Sequence, residues 1–92
     1  MSHPTIIANM SPASGATVAI PATLTWQCAN ATCYEVYFIQ TSVDELPIYV
    51  GVVYSGVYSP TMLKGESYRW KIIARNGGQW TPSPIYSFTT IP

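Results

Sequence analysis

Charge is the scarcest commodity in this 92-residue chain, with four Lys plus Arg, four Asp plus Glu and one His, 9 % charged residues in all. An ordinary globular domain carries about 25 %. The formal balance is zero at pH 7, so no basic face is available to neutralise phosphates, and nucleic acid is not expected as a partner. No apolar run approaches the roughly 18 residues of a membrane span, no signal-type segment opens the chain, and a membrane partner is not expected either. Disorder needs low hydrophobicity with high net charge, and the sequence has neither. Two Cys and one His fall short of the four ligands of a structural zinc site. A catalytic thiol wants a His partner, and the sole His3 lies at the N-terminal end. Paired-carboxylate chemistry needs two acids facing one another across a cleft. Of the four acids, Asp44 and Glu45 adjoin in one loop, Glu66 falls in a turn and Glu35 faces out of a strand. The expectation is a protein without catalytic residues, metal or cofactor.

What is abundant is apolar and aromatic, at 48 % and 13 % of residues, enough for one domain with a real core. Turn signals recur at intervals of roughly ten residues: Pro12 to Gly15, Pro21, Asn30, Asp44 to Pro47, Gly56, Gly65, Gly77-Gly78 and Pro82 to Pro84. β-Branched and aromatic runs lie between them, and no helix-length segment free of Pro and Gly shows a 3.6-residue period. Seven strands follow: 5–10, 22–27, 33–40, 48–54, 58–62, 67–76 and 85–90. Alternation turns Leu24 and Trp26 inward, then Tyr34, Val36 and Phe38, then Tyr68, Trp70, Ile72 and Ala74, then Tyr86 and Phe88. Glu35, Tyr37, Ile39, Arg69, Lys71, Ile73 and Arg75 face out. The fold class is all-β, a seven-stranded antiparallel Greek-key sandwich, with residues 1–4 as a tail and 5–92 as one domain. The ends look like those of a module cut from something longer.

Leu24-Thr25-Trp26, Tyr34-Glu35-Val36-Tyr37-Phe38, the run from Leu63 to Ile72 and Ser87-Phe88-Thr89-Thr90 resemble a fibronectin type III domain, in its bacterial version found in secreted polysaccharide-degrading enzymes and surface proteins. The likeness runs from about Pro12 to Thr90. It implies a tyrosine corner, in which the Tyr68 hydroxyl bonds back to the backbone near the preceding turn and Leu63 packs beneath. It also implies a buried Trp26 on the second strand and a non-catalytic spacer or binding module, although fold alone never fixes function. Cys28 and Cys33 flank one loop, a departure from the family pattern. They read as a local disulfide, which would place the protein in an oxidising compartment, or as two free thiols.

Two places could meet a partner. The outward face of the sixth strand carries Arg69, Lys71 and Arg75, with Tyr37, Ile39 and Ile73 beside them. These side chains either form a mixed contact patch or pair among themselves, Glu35 with Arg75 and Tyr37 against Lys71 or Arg69. Trp80 follows Gly77-Gly78-Gln79 in the loop before the last strand. An indole there either stacks on a sugar or fills a partner's pocket, or folds back on Pro82, Pro84 or Tyr86. Tyr49, Tyr54 and Tyr58 offer a weaker aromatic strip. Asn9-Met10-Ser11 and Asn30-Ala31-Thr32 match the short glycosylation signal. The expected role is a module of a larger extracellular or cell-surface protein, with neighbouring domains and a polysaccharide or protein ligand as partners. A carbohydrate-binding module using Trp80 and exposed Tyr is one alternative. A structural or adhesion domain of a bacteriophage particle is another.

Overall fold

The computed structural model describes residues 3–43 and 46–92; Asp44 and Glu45, read as neighbours in a loop, lie outside the described residues. Among the described residues, nine strand segments occur in chain order: β1 (Ala8–Ser11), β2 (Ala16–Val18), β3 (Leu24–Gln27), β4 (Cys33–Gln40), β5 (Ile48–Val53), β6 (Val57–Tyr58), β7 (Ser67–Asn76), β8 (Gln79–Pro82) and β9 (Tyr86–Thr90). They form a small sheet, β1-β3-β6, and a larger one, β2-β9-β7-β4-β5, with β8 also on β7. Pairing is antiparallel except between β2 and β9. No helix occurs among the described residues.

Alternation explains what fills the sandwich. The larger sheet sends in Tyr34 and Val36 from β4, Tyr68, Trp70, Ile72 and Ala74 from β7 and Phe88 from β9; the smaller sends in Met10, Leu24 and Trp26. Rings pack edge-on or stacked rather than face to face: Trp26 meets Tyr34 edge-on at 5.5 Å between centroids, and Tyr68 stacks between Phe38 at 5.1 Å and Phe88 at 5.7 Å. Such pairs add to the apolar burial that holds the sheets together.

Two of the nine segments go beyond the seven strands expected. β2 is three residues long and pairs in parallel with the far end of the chain, and no local pattern announces such a contact. β8 arises because Gly77-Gly78 form a two-residue hairpin loop that sets Asn76 opposite Gln79, Gly77 having φ 60°. Gly-Gly between extended segments is a recognised hairpin signal, which reading the pair as a loose loop overlooked. β8 and β9 are separated by a bulge. Ser83 Oγ accepts from Ile72 N at 2.8 Å, and Ser83 N donates to Ile72 O at 2.7 Å, so the ladder to β7 is kept across Pro82 and Pro84. The expected strand 58–62 shrinks to Val57–Tyr58, because Pro60 has no N–H to continue pairing with β3.

The cysteines are free thiols, which overturns the disulfide reading. Cys28 follows β3 in the smaller sheet and Cys33 opens β4 in the larger. Cys28 instead donates from Sγ to Thr5 O at 3.2 Å. The same Thr5 bonds Ala29 twice, through Thr5 N to Ala29 O at 3.0 Å and Ala29 N to Thr5 Oγ1 at 2.9 Å.

At the turn before β7, Leu63 N donates to the buried Tyr68 hydroxyl at 2.7 Å. The expected packing of Leu63 beneath that ring is corrected. Leu63 is 58 % exposed, while Met62 joins the core. Successive side chains of an extended segment point opposite ways, so with Met62 inside, Leu63 must turn out.

Candidate functional site

The outer face of the larger sheet collects most of the residues singled out from the sequence. β4 and β7 run side by side for eight paired residues, with Tyr37 opposite Lys71, Glu35 opposite Ile73 and Ile39 opposite Arg69. On the flanks, β5 sets Tyr49 beside Tyr37 and Val52 beside Glu35, while β8 sets Trp80 beside Arg75 and Pro82 beside Ile73.

The polar groups on this face are engaged with one another. Arg75 grips Glu35 through Nε to Oε2 at 2.8 Å and through the second nitrogen to Oε1 at 3.3 Å. This fork spans a diagonal of the ladder, since Arg75 is registered with Cys33. Lys71 Nζ sits 4.8 Å from the Tyr37 ring centroid, and Tyr49 meets that ring edge-on at 5.7 Å. Exposed pairs of this kind are screened by water and add little to stability. Mutual pairing, one of the two readings of these residues, is thus the arrangement present.

Two candidates lie elsewhere than expected. Ile39, read as an outward contact, is only 8 % exposed. It faces Arg69 across the ladder and lies diagonal to Lys71, and long basic side chains cover apolar neighbours with their stems. Trp80, read as a loop residue, is held in β8 opposite Arg75 and is 50 % exposed. Beside it, Gln79 Oε1 accepts from His3 Nδ1 at 2.7 Å, and Thr81 Oγ1 donates to Pro4 O at 2.8 Å. The described part of the segment read as a tail therefore lies against β8. Tyr49, Tyr54 and Tyr58 do not form a strip. Tyr49 is on the large sheet, Tyr54 is in the following turn, and Tyr58 packs against the core from the small sheet, because the chain changes sheets between β5 and β6. Reasoning from sequence missed Tyr49, Val52 and Pro82 as members of the outer face. The first two follow from adding β5 to the edge of β4, which only sheet order reveals.

Away from this face, Ile20, Pro21, Pro60, Met62 and Lys64 line an open groove of about 530 Å3 where β3 and β6 part. Among the described residues, no three His, Cys, Asp or Glu side chains come close enough to hold a metal ion.

Two tyrosines on β4 have raised pKa values. Tyr34 is pushed above its ordinary 10.0 by burial first and by nearby Cys28 second. Tyr37 is raised by burial first, then by the charge of Glu35 and the hydrogen bond to it. Unfolded tyrosines ionise near 10, so above that pH the folded chain holds the more protons, and stability falls as pH rises. The denaturation midpoint is expected to be insensitive to these two groups below about pH 9 and to decline above about pH 10. In Tyr34→Phe the alkaline decline should be shallower, and urea titrations across this range would measure it.

Two antiparallel-dominated sheets closing over an aromatic core, with five connections that cross between the sheets, define a β-sandwich module. Among solved structures, one described as "Structure of FN3tt mut" has the same architecture, with a TM-score of 0.60 at 20 % identity over 95 % of this chain and 97 % of that one. The chain therefore has a fibronectin type III fold. No family model and no curated protein matches its sequence.

Proposed function

We propose that this sandwich is a non-catalytic module of a larger extracellular or surface protein, serving to space, orient or dock neighbouring domains through weak contacts. The observation that supports this reading most is the engagement of the outer-face charges with one another. Glu35 is bound to Arg75 and Lys71 lies over Tyr37, and what is left to offer a partner is half-exposed apolar surface around Trp80. Proteins with this fold typically have no catalytic role, which agrees with that reading.

One observation favours a second reading, a carbohydrate-binding module. Trp80 stands half-exposed on a paired strand, on the outer face opposite Arg75. A half-exposed indole held in a strand suits the apolar face of a sugar ring. Proton–nitrogen NMR spectra with a panel of soluble polysaccharides separate the two. The Trp26 and Trp70 indole N–H groups are buried and lack acceptors in the structure, so only the Trp80 signal can report on surface contacts. Signals unmoved across the panel support the spacer and docking role. A saturable shift of Trp80 together with the Gln79 amide supports carbohydrate binding and sinks the first reading.

A further inference from the structure

Sheet edges present unpaired backbone groups, and proteins blunt them with short strands, proline, bulges or charge. Most strand edges here are blunted. β6 has two residues and is followed by Pro60, β2 has three, and β8 contains Pro82. β1 has four residues, a shifted register and Asn9 at φ 54°. β5 differs. It is six residues long, Ile-Tyr-Val-Gly-Val-Val, with no charge and no proline, and Ile48, Tyr49, Val50 and Val52 are all exposed. Its one irregularity is a bulge. Gly51 pairs with Val36 and Tyr49 with Tyr37, leaving Val50 without an opposite number.

That bulge makes the strand self-complementary. Ile48 and Val53 pair with Phe38 and Tyr34, whose side chains face inward, whereas Tyr49 and Val52 pair with outward Tyr37 and Glu35. In a regular strand residues 49 and 52, three apart, would lie on opposite faces; here they share one, and so do 48 and 53. Residues directly opposite in an antiparallel pair must share a face. Two copies related by a two-fold axis can therefore pair all six residues, Ile48 opposite Val53, Tyr49 opposite Val52 and Val50 opposite Gly51. The glycine has no side chain to meet Val50, and a Cβ built on it would touch nothing within 4 Å. No like charges oppose one another along the strand, and the chain's zero net charge gives no long-range repulsion.

The geometry points to β5 as a self-association edge: a second copy of this chain adds its own β5 antiparallel, joining the two larger sheets into one continuous sheet. The inference is independent of the role proposed for Trp80, which lies on the opposite flank of that sheet. A single six-residue edge implies a weak dimer, dissociating in the range of about 10 μM to about 1 mM.

Sedimentation equilibrium of the 92-residue chain up to about 1 mM tests this together with Val52→Lys. That change places a cation beside Glu35 within one copy and faces the bulky Tyr49 of the other across the join. The wild-type chain should dimerise, and Val52→Lys should weaken dimerisation about tenfold or more while keeping the wild-type circular dichroism. If that variant fails to fold, Val50→Lys, at the unpaired bulge position, gives the same reading. In a mixture of labelled and unlabelled protein, isotope-filtered NMR should show contacts from the Tyr49 ring to Val52 methyls of the other copy. A chain that stays monomeric throughout, a dimer indifferent to the lysine, or a dimer lacking the Tyr49–Val52 contact would each overturn the assignment. So would association of the lysine variant at wild-type strength through another edge.

Discussion

Gly56→Ala is expected to be among the most damaging single-methyl additions this protein can receive, lowering stability by about 3 kcal/mol or more. The turn between β5 and β6 brings Gly56 against β3 so closely that Trp26 N donates to Gly56 O at 3.1 Å. A Cβ on Gly56 would run into the Trp26 carbonyl oxygen. Backbone in a paired strand cannot swing aside as the end of a flexible side chain can. Relief would require prising β6 from β3, and Trp26 in that strand is 3 % exposed in the core and packs on Tyr34 and Trp70. Gly78→Ala is the natural control, since a Cβ there meets nothing within 4 Å. Chemical denaturation of both variants decides the matter. A Gly56→Ala midpoint within error of that of Gly78→Ala would show that the β3–β6 approach is looser than described.

The second large effect concerns the turn that leads into β7, where two buried side chains hold the backbone of Leu63 from both sides. Its N–H donates to the Tyr68 hydroxyl at 2.7 Å, and its carbonyl accepts from Thr90 Oγ1 at 2.6 Å. The Thr90 hydroxyl also accepts from Glu66 N at 3.0 Å. Thr90 and Tyr68 are 1 % and 2 % exposed. Tyr68→Phe removes one partner and strands the Leu63 N–H, for an expected loss of about 1–3 kcal/mol. Thr90→Val keeps the shape but strands a donor and an acceptor together, and about 2–4 kcal/mol is expected. Because both side chains grip one residue, the double variant should lose less than the sum of the two. A double-mutant cycle by urea denaturation reads this directly. Strict additivity would show the two anchors acting independently, and an unchanged midpoint for Tyr68→Phe would remove the tyrosine corner from the stability of this fold.

These residues show how unevenly the molecule could be read in advance. The bounds of β4 and β7 were legible to the residue, because β7 alternates with period two over most of its ten residues and β4 does so until Phe38 and Ile39 break the pattern, and only a strand satisfies that period. The Glu35–Arg75 and Tyr37–Lys71 contacts followed, since the register of two such strands fixes which side chains can meet. The Tyr68 bond to the turn was legible by resemblance. Thr90, the partner on the other side of the same turn, was not, because nothing local in Ser87-Phe88-Thr89-Thr90 says that the last hydroxyl faces a turn far back in the sequence. Gly56 looked like ordinary turn punctuation, and the closeness of β3 that makes it irreplaceable exists only once the sheet is built.

Composition and alternation, both properties of neighbouring residues, sufficed for an all-β sandwich with a Trp- and Tyr-rich core. The tertiary structure alone decided matters that depend on which distant segments meet. Cys28 and Cys33 are free thiols, Cys28 hydrogen-bonding to Thr5 from the start of the chain. Ile39 is buried where it sits opposite Arg69 of β7, although alternation turns it outward. Trp80 is held in a strand because Gly77 and Gly78 close a hairpin onto β7. The same applies to β5, whose continuous apolar run resembles that of any buried strand. It becomes an open edge only because the chain, on leaving it, crosses to the other sheet and leaves one side of its backbone unpaired.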